Sequence, residues 1–148
     1  MKRILLALSA LFISICSMAQ NDKGDNILGT YLNGTLEDGY KVLITKLADG
    51  TYQGMLCWTN DLYEADGTKK KDVKNPNKAL RNTPMDEVIL FKGLQYDPNK
   101  KQWSGAKIYD PNRGINVKMT AKFDSPDNLV VRGTVLGIGE KVTWVRVD

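Results

Sequence analysis

Ile115-Asn116-Val117-Lys118-Met119-Thr120-Ala121-Lys122-Phe123 sets every apolar residue on an odd position and every polar residue on an even one. Successive side chains of a strand point to opposite faces, so this period of two describes a strand with one buried face and one wet face. Working outward, seven further runs of this kind can be marked, giving segments near 28–33, 40–47, 51–58, 87–96, 102–109, 115–123, 128–136 and 141–147. Turn residues punctuate them: Asp38-Gly39, Asp49-Gly50, Asp97-Pro98-Asn99, Asp110-Pro111-Asn112-Arg113-Gly114, Ser125-Pro126-Asp127 and Gly137-Ile138-Gly139. Asp-Gly supplies the positive-φ corners of tight hairpins, and proline presets the first corner of a turn. No helical periodicity of useful length lies between the runs. Short connections make consecutive strands neighbours, and closing the sheet removes its exposed edges. The expected fold is an all-β, eight-stranded antiparallel up-and-down barrel, with an open sandwich as the alternative. Gly54, Gly93, Gly105 and Gly133, each inside a strand, mark expected bends.

The N-terminus reads differently. Lys2 and Arg3 precede an apolar run from Ile4 to Ile15, and Ser17-Met18-Ala19 offers small residues just before Gln20. This is the layout of a secretory signal peptide, residues 1–19, cleaved near Ala19/Gln20. The run is shorter than the roughly 20 residues that span a bilayer, and no later segment approaches that length. Ile15, bulky and branched, argues against lipid attachment at Cys16. The expectation is a periplasmic or secreted protein with a single domain over 20–148 and no transmembrane segment after cleavage.

Removing the signal takes two basic residues and no acidic one, so the formal charge falls from +4 to +2. A nucleic-acid partner is not indicated. Cys57 is then the remaining cysteine, expected to be buried as a small hydrophobe without a disulfide. The chain contains no histidine. Ser-His-Asp and Cys-His catalysis and histidine-ligated zinc are thereby excluded, and no other catalytic constellation, metal site or cofactor motif stands out. The run Asp61-x-x-Glu64-x-Asp66 lacks the full ligand series of a calcium loop.

One connection is out of scale. Residues 59–86 join the third and fourth runs, and between Lys69 and Arg81 they carry six basic residues against the single acidic Asp72. A loop of this length is either a solvated flap or a lid over one barrel mouth.

In the second half, Asp72, Asn75-Pro76, Arg81, Ile89-Leu90, Gly93-Leu94, Trp103, Gly105, Ile108-Tyr109-Asp110-Pro111, Gly114, Leu129, Arg132-Gly133 and Trp144-Val145-Arg146 follow in close order. This order resembles domain-of-unknown-function family 2147 of small exported bacterial proteins. The resemblance implies a lipocalin-type or streptavidin-type barrel and brings no established activity. Gly29-Thr30-Tyr31 stands where a lipocalin shows Gly-x-Trp. In a closed barrel the first and last strands are neighbours, so Arg146 is expected to cap the Tyr31 ring through a cation–π contact.

Two functional readings follow. In the first, the barrel takes a small apolar or amphipathic ligand, with Trp58, Trp103 and Tyr109 as apolar contacts and Arg81, Asp110 and Arg113 as polar anchors; Tyr31, Trp144 and Arg146 are structural. Simple alternation puts Trp103 and Tyr109 on one face. In the second, the domain is an envelope protein-interaction or inhibitor module that uses the basic 59–86 loop.

Overall fold

Eight antiparallel strands close on themselves in chain order: β1 Gly29–Gly34, β2 Gly39–Lys46, β3 Tyr52–Thr59, β4 Ile89–Asp97, β5 Gln102–Asp110, β6 Ile115–Ser125, β7 Asn128–Val135 and β8 Ile138–Arg146. The structure, a computed structural model, describes residues 24–135 and 137–148. The signal-peptide reading of residues 1–19, with Cys16, lies outside the described residues. The up-and-down order follows from the short turns. The seam is the pairing of β1 with β8, Tyr31 opposite Arg146 and Leu32 opposite Val145. Closure pairs both edges that an open sheet would leave bare.

The period of two in Ile115–Phe123 translates directly into burial. Met119 and Ala121 are buried, Phe123 packs against the core, and Lys118 and Lys122 are exposed. The two ends of the barrel are unlike. A 3₁₀ turn, Gly24–Ile27, plugs the end where β1 begins. Its carbonyls are used by side chains from distant strands: Trp103 Nε1 donates to Gly24 O (3.1 Å) and the Tyr31 hydroxyl to Ile27 O (2.9 Å). Arg146 Nη2 donates to Asn26 O and Nη1 to Leu28 O, each at 2.6 Å. The Arg146 guanidinium lies 5.0 Å from the Tyr31 ring centroid and 5.5 Å from that of Phe123. Trp103 meets Tyr96 at 4.7 Å and Phe123 at 5.6 Å between centroids. Large rings fill this end, and each fully buried ring contributes about 2–3 kcal/mol of hydrophobic stabilisation.

Bulges decide what faces inward. On β5, Trp103 pairs with Ala121 but the next pair is Ala106 with Met119, so two residues of β5 oppose one of β6. Gly105, at φ +86°, takes the irregular position that a side chain would resist. The bulge reverses the alternation. Trp103, Ala106 and Ile108 face inward, while Tyr109, opposite Asn116, falls on the other side. The expected shared face of Trp103 and Tyr109 is therefore corrected. A second bulge on β3 sets Lys41 opposite Trp58 and Val42 opposite Leu56, leaving Cys57 as the extra residue. Cys57 is only partly buried, with its thiol 3.5 Å from Lys41 O, rather than enclosed in the core. At Gly54 the reason for glycine is space: a Cβ there would sit 2.2 Å from the Phe91 ring.

The long connection is folded. Glu64 N–H bonds Thr68 O, Lys70 N–H bonds Leu62 O and Met85 N–H bonds Lys70 O, and isolated bridges join Tyr63 to Lys69 and Lys71 to Pro84. Two short 3₁₀ turns, Lys78–Leu80 and Met85–Glu87, carry the chain into β4.

Candidate functional site

The end opposite the plug is open. Residues 110–113 of the β5–β6 turn, Val135 and Ile138 at the facing ends of β7 and β8, and Met85 of the folded connection border a cavity of about 550 Å³ that runs down into the barrel. Small and branched side chains leave this space because four rings, Tyr31, Tyr96, Trp103 and Phe123, are gathered at the other end. Leu56, Leu90, Ile108, Val117, Val131 and Val142 form the walls. The Trp144 indole, stacked on Phe91 at 6.4 Å, closes the floor. Trp144 Nε1 donates to the Tyr40 hydroxyl at 3.1 Å, and the two rings meet edge to face. Burial pushes the Tyr40 hydroxyl up from its ordinary pKa, so it stays protonated and keeps one hydrogen to donate into the cavity.

Charge is confined to the mouth. Asp110 Oδ2 lies 2.7 Å from Arg113 Nε, and Asp110 Oδ1 accepts from the backbone N–H groups of Asn112 and Arg113. Glu140 Oε2 approaches Arg113 Nη2 at 3.8 Å. These carboxylates raise the Arg113 pKa, Asp110 foremost through its hydrogen bond. The turn-capping role of Asp110 follows from its side chain reaching its own backbone two residues on. Met85, from the folded connection, borders both this cavity and a more polar groove of about 700 Å³ beside it.

The proposed anchors part company here. Asp110 and Arg113 border the mouth, and Tyr109 borders it from the β5 wall. The Tyr109 hydroxyl is committed elsewhere: it donates to the buried Asp72 carboxylate at 2.7 Å. Burial, and then that carboxylate, push the phenol pKa well up. Asp72 also accepts from Asn75 Nδ2 at 2.7 Å, and Arg81 Nε donates to Asn75 O at 2.7 Å. Asp72, Asn75 and Arg81 thus pin the long connection to β5, and Arg81 does not line the cavity. Trp103 belongs to the plugged end. Trp58, turned by the β3 bulge to the side of Lys41, carries that ammonium 5.4 Å from its ring centroid and is not a cavity residue.

The basic run is largely used internally. Lys69 pairs with Asp86 (2.7 Å), Lys70 with Asp61 (2.6 Å), and Lys74 Nζ donates to Asn112 O (2.7 Å). Tyr40 and the aliphatic walls were missed in the sequence reading. The legible signal for them was the inward parity of each strand, since Tyr40, Val117 and Val131 all share the parity of buried neighbours.

Solved structures include one of similar fold, described as Protein HP1028 from the human pathogen Helicobacter pylori and as belonging to the lipocalin family. It is 24% identical, with 82% of each chain covered and a TM-score of 0.65, a likeness that speaks to fold. A search of curated proteins finds no significant match. The family model described as an uncharacterized protein conserved in bacteria (DUF2147) matches residues 29–146, the entire barrel from the first strand to the last. The chain therefore belongs to domain-of-unknown-function family 2147.

Proposed function

We propose that this protein binds one small amphipathic molecule in the cavity at the open end. The observation that carries this reading is an apolar-walled space of about 550 Å³, sealed at one end and charged only at its mouth. That volume falls within the roughly 300–1,000 Å³ of small-molecule pockets, which combine apolar walls with a few placed polar groups. The apolar body of the ligand lies against Leu56, Leu90, Val117 and Val131 above Trp144. Its polar head meets Asp110, Arg113 and Glu140, with Tyr109 at the wall and Tyr40 as an interior donor. The Met1–Ala19 segment supports export as the setting, and the N-terminal residue of protein recovered from culture tests that placement.

Gly133 supplies the test of the site. It lines the cavity, its backbone is not in the left-handed region, and a Cβ there meets only Val117 Cγ2 at 2.9 Å and Ile108 Cγ2 at 3.9 Å. Gly133→Leu fills the space with a flexible side chain. Uptake of 1-anilinonaphthalene-8-sulfonate, read by its fluorescence, is expected for the wild type and lost in this variant, with the cooperative unfolding transition retained and its midpoint lowered by an overpacking cost of about 1–3 kcal/mol. Equal uptake by a folded Gly133→Leu protein, or none by the wild type, overturns the assignment. Native mass spectrometry of protein from its own cells then gives the mass of the natural occupant.

A further inference from the structure

The outer wall of β5–β8 carries a patch of charge that neither the fold nor the cavity uses. Lys107 lies directly opposite Lys118, Arg132 directly opposite Lys141, and Lys118 and Arg132 are diagonal neighbours across β6 and β7. All four are exposed, and none has an ion-pair partner among the described residues. Like charges facing each other across a ladder destabilise it, so folding does not account for this arrangement. Asp124, on the same outer face of β6, sits toward the plugged end.

The four cations share one height. Each stands three residues from a turn of the open end, which at 3.4 Å per residue is about 10 Å below the rim. On that rim, at the strand ends and on the cavity-side parity of β6, β7 and β8, apolar side chains face water: Ile138 is 78% exposed, Val135 45% and Ile115 37%. Scattered exposed aliphatics are ordinary, but these three crown the two turns that bound the basic sector. An apolar edge backed by cations at this depth matches a bilayer surface, where apolar groups sink about 5–10 Å and cations meet anionic head groups. A nucleic acid or an acidic protein surface would use the charge and leave the rim without a partner.

We propose that the open end docks on an anionic phospholipid surface, with Ile115, Val135 and Ile138 inserted and Lys107, Lys118, Arg132 and Lys141 against the head groups. The cavity mouth would then face the lipid. The four cations lie on the outer face away from the cavity walls, Val135 and Ile138 also border the cavity mouth, and the proposal does not rest on the cavity holding a ligand.

The test uses protein of residues 20–148, which contains the whole barrel and omits the apolar Ile4–Ile15 run. Sedimentation compares vesicles of pure phosphatidylcholine with vesicles containing about one third phosphatidylglycerol. Binding is expected on the anionic vesicles, weakened by salt. Lys118→Gln, Arg132→Gln and Lys141→Gln together are expected to lower it about 100-fold, from about fivefold per cation. Because they relieve like-charge pairs, these changes leave the melting temperature unchanged or raised. Ile138→Asp, at an exposed site, is expected to lower binding about tenfold. Dye uptake by the cavity in the triple variant stays at the wild-type level, which separates this surface from the ligand site. The proposal is overturned by absence of binding to anionic vesicles, by equal binding to neutral ones, by an unaffected triple variant, or by retention on heparin without vesicle binding.

Discussion

Arg146→Met removes the guanidinium from the plugged end while keeping the length of its apolar stem. In the native protein that group donates two hydrogen bonds of 2.6 Å, to Asn26 O and Leu28 O, and covers the rings of Tyr31 and Phe123. Its side chain is 18% exposed, and the nearby Asp127 carboxylate at 3.9 Å is mostly in water, so that ion pair adds little. A hydrogen bond from a charged donor contributes about 1.5–3 kcal/mol, and a partly desolvated cation–π contact about 1–2 kcal/mol. These share one group and do not add fully, so we expect a loss of about 4 kcal/mol. Domains of this kind have about 5–15 kcal/mol in total, so the loss is a large fraction of it. Arg146→Lys keeps the charge over Tyr31 and one of the two carbonyl bonds, and is expected to cost about 2 kcal/mol. Urea denaturation followed by tryptophan fluorescence reads both. With a slope of about 2 kcal/mol/M, the midpoints fall by about 2 M and 1 M. A Met variant within about 1 kcal/mol of wild type would refute the claim that this side chain locks the plug. A Lys variant as weak as Met would show that the forked geometry, and not the charge, carries the effect.

Burial, offset in part by Arg146, raises the Tyr31 hydroxyl pKa from 10.0 to about 12. The folded state holds that proton more tightly than the unfolded chain, so its contribution is intact below pH 10 and declines as pH rises towards 12. At 1.36 kcal/mol per pKa unit this is about 2–3 kcal/mol, seen as a falling urea midpoint that Tyr31→Phe makes shallower. Gly54→Ala drives a methyl to 2.2 Å from a buried ring and is expected to cost about 1–3 kcal/mol, partly restored by Phe91→Leu; a neutral single variant would contradict the packing. Tyr109→Phe leaves the buried Asp72 carboxylate one donor short, a cost of about 1–3 kcal/mol felt mainly in the 60–86 connection. Trypsin is expected to cut after Lys74 or Lys78 faster in that variant, and unchanged protection would remove Asp72 from its pinning role.

The sequence by itself determined the class of fold and the partners across its seam. The odd–even pattern of Ile115–Phe123 and the Asp-Gly and Asp-Pro turns are local signals, since backbone geometry over a few residues decides them. Closure of eight up-and-down strands then obliged β1 to meet β8, so that Tyr31 and Arg146 became neighbours without any other information. Whether Trp103 and Tyr109 share a face was decided by the bulge at Gly105, which reverses parity between them. Whether Trp58 looks inward was decided by the bulge at Cys57. A bulge depends on the register of two paired strands, and register is a property of the closed sheet. Only the tertiary structure gathered Tyr31, Tyr96, Trp103 and Phe123 at one end, leaving aliphatic walls and Trp144 at the other. The cavity exists because side-chain volume is shared unequally along the barrel axis, a sum over eight strands that no single segment contains.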